Sequence, residues 1–498
     1  MASVLHPLGE QSERESLRAR VRAAKVHSAQ MRAIALVVTV FAAAYAALSA
    51  NPILSIVAIA VLAFILAMLW LPNQPPILLF SISYQWLQVS MVIWQANSLG
   101  MPIERMDRSI PLETAVWYSL FGLAFVAGGM RLAVSGMKTD VAAKAIAAAQ
   151  KVDIFKLVLL HVLVSLFATG FWATVGTGSL FQVAFAIWQL KMATLFAVGY
   201  VALAQKNRMP LFLGIFAFEF LSSVGAFFSD FRFPLIVAFL ALVAAPGRPG
   251  FGRILGLGVL AVFGIYAGIV WSAIKDQYRD YASGNSGEHY VSVDSTRARD
   301  KLLTLIGGVD EDLAEHGAQQ LANRLRYVDF FAHTIAHVPA AVPHENGALL
   351  GTAVMHVLTP RVLFPDKAAL VGDTDMTKKY TGLDLYAAQN TSISIGYFGD
   401  TYIDFGWPGM YVALLFVGFL QGWIYRTLLQ MRNVHPLICY GVASSTFLYT
   451  ALFEITLIKL IGGIMSNFLV IYAMGVFILP ALSRQIANRW TFEARGPS

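Results

Sequence analysis

Residues 52–71, PILSIVAIAVLAFILAMLWL, form an apolar stretch without a single charged side chain. A helix of about 20 such residues crosses the roughly 30 Å hydrocarbon core of a bilayer. Similar stretches recur along the 498 residues, of which 57% are hydrophobic and 13% are charged. Soluble domains carry about 25% charged residues. Because unpaired backbone groups find no water in lipid, we expect an all-α polytopic membrane protein.

Twelve transmembrane helices are predicted from these stretches. Their approximate limits are 33–50, 52–71, 76–97, 112–133, 154–174, 180–204, 209–228, 232–246, 254–273, 405–426, 436–455 and 460–482. The chain would therefore comprise a basic N-terminal segment (1–32), a membrane domain of about nine spans (33–273), a large helical extracytoplasmic loop (274–404), three C-terminal spans (405–482) and a tail (483–498).

The distribution of basic residues predicts the orientation. Most Lys and Arg outside residues 274–404 lie in the N-terminal segment, the C-terminal tail and alternate loops. Cytoplasmic loops of membrane proteins are enriched in basic residues. We therefore expect both termini in the cytoplasm and the long loop outside. The first span would act as its own insertion signal, without a removable signal peptide.

The charge of the long loop is opposite to that of the rest. Residues 274–404 carry 11 Lys and Arg and 17 Asp and Glu, whereas the whole chain has a net charge of +7. The basic excess of the membrane part suits contact with the anionic lipids of a bilayer. No stretch interleaves aromatic and basic residues in the manner of a nucleic-acid site, so no nucleic-acid partner is expected.

Metal and disulfide chemistry is not expected. Cys439 is the single cysteine of the chain, which excludes an intrachain disulfide and a cysteine metal cluster. His333 and His337 have the i,i+4 spacing of a zinc helix, but the glutamate of the HExxH motif is missing between them. We predict no metal and no cofactor.

The first segment of the long loop with candidate binding residues is TPRVLFPDK, Thr359–Lys367. It follows the apolar segment Gly347–Leu358, which is too short to span and is predicted to be re-entrant or interfacial. Arg361 and Lys367, beside Asp366, have the chemistry to bind phosphate oxygens. The alternative is that they are interfacial side chains reaching water.

The second segment with candidate site residues is GYFGDTYIDFGWPG, residues 396–409. Asp400 and Asp404 are four residues apart and would share one helix face. A carboxylate near apolar surface is suited to act as a general base, and ion pairing with Arg232 or Arg361 is the alternative.

Arg232 closes the tetrapeptide SDFR, Ser229–Arg232, at the outer end of the eighth predicted span. The short outer loops hold few basic residues, so a cation here opposes the topological bias. Arg232 is either a second anion-binding residue or simply a partner of Asp230.

Lys191 and Glu219 are charges inside adjacent antiparallel spans, at similar depth. An unpaired charge at the bilayer centre costs about 2.5–3.5 kcal/mol on insertion scales. The pair would be structural, or it would belong to a proton or ion path.

Three of these elements together resemble bacterial oligosaccharide repeat-unit polymerases, the Wzy-type polymerases of O-antigen and exopolysaccharide pathways. Pro360–Lys367 resembles their PR-x-(L/F/W)-(W/F)-P-x-K element, and Ser394–Gly409 resembles G-x-x-G-(E/D)-x-Y-x-x-F-G-x-x-G. Ser229–Arg232 resembles their S-x-x-R. The likeness covers approximately residues 220–430. It departs at Asp400, where glutamate is more usual and reaches further.

The resemblance implies a metal-independent, C-type membrane glycosyltransferase without a cofactor. Its substrate would be an undecaprenyl-pyrophosphate-linked oligosaccharide, polymerised at the outer face of the bacterial inner membrane. A chain-length regulator and a flippase of the same pathway would be partners. The implied catalytic residues are Asp400 as general base and Arg232 and Arg361 as pyrophosphate ligands. The implied substrate-binding residues are Lys367, Asp366, Tyr397, Tyr402, Asp404 and Trp407.

Two other functions remain open. An O-antigen-ligase-like transferase would share the lipid donor and use a different acceptor. A flippase or transporter would suit twelve spans and the Lys191 and Glu219 pair, but its usual six-plus-six design places the long connection inside the cell, after the sixth span.

Overall fold

In a computed structural model, the described part of the chain forms helices and contains no β-strand. The structure describes residues 39–44, 46–138, 140–175, 180–224, 230–247, 249–284, 293–359, 364, 370–385 and 392–486. The helices are α1 Pro52–Leu69, α2 Ile77–Ser98, α3 Leu112–Val134, α4 Val141–Lys151, α5 Ile154–Val175, α6 Phe181–Ala204, α7 Met209–Ser223, α8 Arg232–Ala244, α9 Phe251–Ala282, α10 Ser295–Gly307, α11 Glu311–Leu325, α12 Val328–His337, α13 Ala348–Leu358, α14 Asp373–Thr381, α15 Tyr397–Leu429, α16 Pro436–Ser445, α17 Leu457–Phe477 and α18 Leu479–Ile486.

Eight of the described helices are long and apolar enough to cross a membrane, namely α1, α2, α3, α5, α6, α9, α15 and α17. Helices α7, α8 and α13 are apolar but shorter. The structure thus confirms a helical membrane protein, with fewer helices of spanning length in its described part than the twelve spans expected.

The eleventh predicted span, 436–455, is broken. Helix α16 ends at Ser445 and is followed by a 3₁₀ turn, Leu448–Ala451. Two side chains of α2 bind the freed backbone: Gln85 Nε2 donates to the Thr450 carbonyl at 3.0 Å, and Phe453 N–H donates to Gln88 Oε1 at 2.9 Å. Non-helical backbone is tolerated at membrane depth only where protein surrounds it.

Both ends of the predicted loop are helical. Helix α9 continues past residue 273 to Ala282, and α15 already begins at Tyr397. A sharp kink interrupts α15 at Gly406, whose φ is 60°. Asp400 and Asp404 therefore lie in the first two turns of α15, before the kink.

Helices α3 and α15 pack closely through glycine. A Cβ at Gly129 would lie 2.1 Å from the Leu415 carbonyl oxygen, and one at Gly418 would lie 2.1 Å from that of Val126. Small residues allow membrane helices to approach this closely. Because α15 carries the second sequence motif, this contact places that motif relative to the bundle.

Helices α15 and α17 start beside each other and end beside each other. Asp400 near the start of α15 contacts Leu457, the first residue of α17. At their other ends, a Cβ at Gly475 would meet the Met431 sulfur at 2.7 Å. We call the end where α15 and α17 begin the loop end, and the other the opposite end.

Candidate functional site

Asp400 is buried at the loop end, with 6% of its surface exposed. Its Oδ2 accepts a hydrogen bond of 2.7 Å from the backbone N–H of Leu457. The N-terminus of a helix carries a partial positive charge and favours a carboxylate. Asp400 therefore joins the first turn of α15 to the first turn of α17.

Asp400 also lines a cavity of about 310 Å³, which we call the loop-end cavity. Lys459, from the first turn of α17, and Asp373, the first residue of α14, form an ion pair on its wall. Ser392 Oγ donates to Asp373 Oδ2 at 2.7 Å. The cavity thus brings two carboxylates, an ammonium group and a hydroxyl to one place.

The far end of α14 is tied down by a second polar contact. Lys379 Nζ lies 2.9 Å from Glu345 Oε1, and the Tyr380 hydroxyl donates to the same oxygen at 2.6 Å. The hydrogen bond from Lys379, and then that from Tyr380, hold the pKa of Glu345 below its usual value. This contact helps to fix α14, which carries Asp373 to the cavity.

Asp404 is almost completely buried, with 1% exposed, and both of its oxygens are occupied. Oδ1 accepts from Leu349 N–H at 3.0 Å and Oδ2 accepts from Leu350 N–H at 2.8 Å. These are orphan N–H groups in the first turn of α13. Asp404 thus holds the N-terminus of the short apolar helix, and substrate would have to displace one of these bonds to reach it.

Arg232 is the first residue of α8 and belongs to a polar cluster at the loop end. Its guanidinium lies 4.9 Å from the Phe233 ring centroid, and its buried Nε has no hydrogen-bond partner among the described residues. The charges of Arg232, Arg324 and Glu454 all act on the Tyr84 hydroxyl. We call Tyr84, Arg232, Arg324 and Glu454 the arginine cluster.

The arginine cluster gains further positive charge from α9. Arg324 lies within electrostatic range of Lys275 and Arg279 near the end of that helix. Glu454 is held from the other side, because Gln88 Nε2 donates to its Oε2 at 2.9 Å. Cations from α8, α9 and α11 therefore lie in this region together with several carboxylates: Asp230 is within electrostatic range of Arg232, and Asp276 is within range of Lys275 and Arg279.

Tyr327 connects the arginine cluster with the loop-end cavity. Its hydroxyl accepts a 3.0 Å hydrogen bond from Ser394 N–H and feels the charges of both Glu454 and Asp373. Burial raises the pKa of Tyr327 to about 12. Ser394 in turn donates through Oγ to the Glu454 carbonyl. Tyr327 and Ser394 thus link the two polar regions.

The predicted aromatic residues differ in exposure. Tyr397 is fully buried and donates to Gln85 Oε1 at 2.7 Å, and Tyr402 is 7% exposed and donates to the Val338 carbonyl at 3.2 Å. Trp407 is 60% exposed and stacks on Tyr118 with ring centroids 6.2 Å apart. Trp407 is accessible to a ligand at the protein surface, whereas Tyr397 and Tyr402 would first have to become exposed.

Arg361, Asp366 and Lys367 lie outside the described residues, as does Ser229. The structure places Asp400 in the loop-end cavity and Arg232 in the arginine cluster. It adds residues that the sequence motifs did not indicate, namely Tyr84, Arg324, Tyr327, Asp373, Glu454 and Lys459. A usable signal existed for Glu454, which is an acidic residue inside the predicted span 436–455.

The intramembrane pair is present and belongs to a larger network. Lys191 Nζ lies 2.6 Å from Glu219 Oε2, and Glu219 is fully buried. His161 Nε2 lies 3.1 Å from Glu219 Oε1, and Ser165 Oγ donates to the same oxygen at 2.7 Å. Helices α5, α6 and α7 therefore meet around one carboxylate.

Comparisons with known proteins assign the chain to a family without assigning an activity. No curated protein and no solved structure matches it. Residues 106–470 match the family described as Domain of unknown function (DUF8712). The match contains the loop-end cavity, three of the four residues of the arginine cluster (Arg232, Arg324 and Glu454, but not Tyr84) and most of the 498-residue chain. The chain therefore belongs to the family Domain of unknown function (DUF8712).

Proposed function

We propose that the protein is a membrane glycosyltransferase that joins undecaprenyl-pyrophosphate-linked oligosaccharide repeat units at the outer face of the bacterial plasma membrane, in O-antigen or exopolysaccharide synthesis. The proposal includes about twelve spans in a C-type glycosyltransferase arrangement, with both termini cytoplasmic. A flippase would deliver the substrate, and a chain-length regulator would act on the product. The three sequence motifs and the composition of the loop end support this proposal.

The observation that carries the proposal is the position of Asp400. It lines the loop-end cavity with Lys459 and Asp373, and Tyr327 links this cavity to the cations around Arg232. A transferase that uses a pyrophosphate donor needs cations beside the departing phosphates and a base beside the attacking hydroxyl. The loop-end cavity offers a carboxylate and Lys459, and the linked arginine cluster offers further cations, which supports the proposal.

The proposed reaction is a displacement at the anomeric carbon of the donor glycan. A hydroxyl oxygen of the acceptor sugar forms the new C–O bond, and the bond to the pyrophosphate oxygen breaks with its electron pair. Arg232 and Lys459 stabilise the negative charge that develops on the pyrophosphate. Oδ2 of Asp400 is held by Leu457 N–H, so the proton of the hydroxyl goes to Oδ1. Arg361 and Lys367 enter this proposal from the motif resemblance alone.

The role of Asp400 is tested with two substitutions. Asp400→Asn keeps a side-chain oxygen that can accept from Leu457 N–H but removes the base, whereas Asp400→Ala removes both. We expect Asp400→Asn to accumulate in the membrane at the wild-type level and to make no polymer. Asp375→Asn, at an exposed carboxylate two residues after Asp373, is the matched control and should remain active. Wild-type chain lengths from Asp400→Asn would refute the assignment of the base.

The class of reaction is tested by deletion of the gene and analysis of the glycolipids. Loss of a polymerase leaves single repeat units on the lipid or on the core. Loss of a ligase leaves polymer on the undecaprenyl carrier, and loss of a flippase traps units at the inner leaflet. Either of the last two patterns would overturn the proposed polymerase.

A further inference from the structure

A second polar cavity lies away from the loop end, at the opposite end of α15 and α17. It has a volume of about 520 Å³ and is lined by Arg426, Gln430 and Arg432, together with Trp423 and Tyr472. Small-molecule sites commonly have volumes of about 300–1,000 Å³. The cavity is therefore large enough for a phosphate-bearing headgroup.

The charge of this opposite-end cavity favours an anion. Among the described residues that line it, Arg426 and Arg432 are charged and none is acidic. The C-termini of α15 and α17 each contribute about half a negative elementary charge. The two guanidinium groups outweigh this contribution and leave roughly one net positive charge.

One of the residues that line this cavity, Gln430, has a buried donor. Gln430 Nε2 is shielded from solvent and has no hydrogen-bond acceptor among the described residues. Such a buried, unsatisfied N–H group has a cost to stability. An oxygen atom of a ligand would remove this cost. Arg426 donates to the Ala133 carbonyl at a long 3.4 Å, which leaves most of its guanidinium donors for a ligand.

The rim of the cavity is apolar and faces outward. Trp423 is 38% exposed, Tyr472 44% and Val476 55%, and Phe477 just beyond is 79% exposed. Trp and Tyr favour the membrane interface, where one end of the ring is apolar and the other is wet. A soluble phosphate compound gains nothing from this rim, whereas the acyl chains of a lipid would cover it.

We propose that the opposite-end cavity binds the phosphate headgroup of an acidic phospholipid from the adjacent leaflet. Arg426 and Arg432 hold the phosphate oxygens, and Gln430 donates to a phosphate or ester oxygen. The acyl chains lie along Trp423 and Tyr472. Positively charged pockets between membrane helices are suited to such headgroups. The proposal is independent of the proposed transferase activity.

The test is native mass spectrometry of the full chain in detergent, titrated with phosphatidylglycerol. Arg432→Gln and Arg426→Lys should each weaken binding about tenfold, the effect of losing one charge-assisted contact of about 1.4 kcal/mol. Arg432 is exposed, so its substitution should leave the fold intact. Arg484→Gln is the matched control, because Arg484 is an exposed cation on α18 that does not line the cavity. Equal affinity of all four proteins would overturn the proposal.

Two further binding measurements distinguish a lipid phosphate from a soluble phosphate. Phosphatidylcholine carries a phosphate without net negative charge and should bind at least about tenfold more weakly if charge decides. Inorganic phosphate should not displace phosphatidylglycerol at equal concentration, since it cannot cover the rim. Tight binding of inorganic phosphate that Arg432→Gln abolishes, with no preference for the lipid, would show a soluble ligand and refute a lipid site.

Discussion

Replacement of Lys191 by methionine tests whether the intramembrane network stabilises the fold. The ammonium group lies 2.6 Å from Glu219 Oε2, and Glu219 has no exposed surface. Methionine keeps much of the side-chain length and removes the charge. Glu219 would then keep only its contacts with His161 and Ser165.

Two costs determine the expected loss of stability: that of leaving the Glu219 carboxylate unpaired, and that of protonating it. Removal of one partner from a buried ion pair typically costs about 3–5 kcal/mol. The carboxylate can escape part of this penalty by taking up a proton, which at pH 7 costs about 3.7 kcal/mol for an aqueous Glu with a pKa of about 4.3. We therefore expect Lys191→Met to lower the free energy of unfolding by about 3–4 kcal/mol. In the double variant Lys191→Met with Glu219→Gln, no uncompensated charge remains, and the loss should fall to about 1–2 kcal/mol.

The free energy of unfolding is measured by reversible denaturation in mixed micelles, for wild type, both single variants and the double variant. Lys206→Met is the control, because Lys206 is exposed beyond the end of α6, and it should change stability by less than about 0.5 kcal/mol. Strictly additive single effects would refute the pairing argument. A Lys191→Met protein of wild-type stability that makes no glycan would instead indicate that the network conducts protons or ions.

Three further predictions concern helix packing, pH and helix capping. Gly129→Ala should destabilise the protein by about 1–3 kcal/mol through overpacking. Gly128→Ala is the control and should be tolerated, because its Cβ would meet its nearest neighbour at 3.9 Å. Equal melting temperatures of the two variants would contradict the close approach of α3 and α15. The hydrogen bond from Lys379 lowers the pKa of Glu345. The stability that this contact adds is therefore present above the unfolded pKa of about 4.3 and is lost as the pH falls through the folded value. Protection factors for amide hydrogen exchange in the helix that carries Lys379, corrected for the intrinsic exchange rate at each pH, should fall at acid pH in the wild type, and in Glu345→Gln they should already be low at pH 7. Asp404→Ala should destabilise α13, the helix that it caps, by about 1–2 kcal/mol. Amide hydrogen exchange in α13 should then be faster, and unchanged exchange would show that the two hydrogen bonds of Asp404 are unimportant.

Local patterns predicted much of the fold. The segment 274–404 was expected to be helical, and the structure has α10, α11 and α12 within it. The depth of Lys191 and Glu219 in neighbouring spans indicated that they meet, and they do. These inferences rest on residues close in sequence or on the fixed thickness of the bilayer.

Contacts between distant segments were beyond such patterns. The break after α16 depends on Gln85 and Gln88, more than 360 positions away from the backbone groups that they bind. The ion pair between Asp373 and Lys459 joins residues 86 positions apart. The spacing of Asp400 predicted a shared helix face with Asp404, but nothing local showed that another helix would begin beside each carboxylate.

The first two turns of α15 therefore fix the distance, measured along the axis of α15, between the starts of two other helices. Asp400 and Asp404 are four residues apart, which is about 6 Å along a helix axis, and each holds the first turn of a different partner, α17 and α13. The offset between these two helix starts is set by that rise. One residue inserted between the carboxylates would rotate one of them by about 100° around the axis and detach its helix. In family members that keep both carboxylates, insertions and deletions should therefore be absent between these two positions.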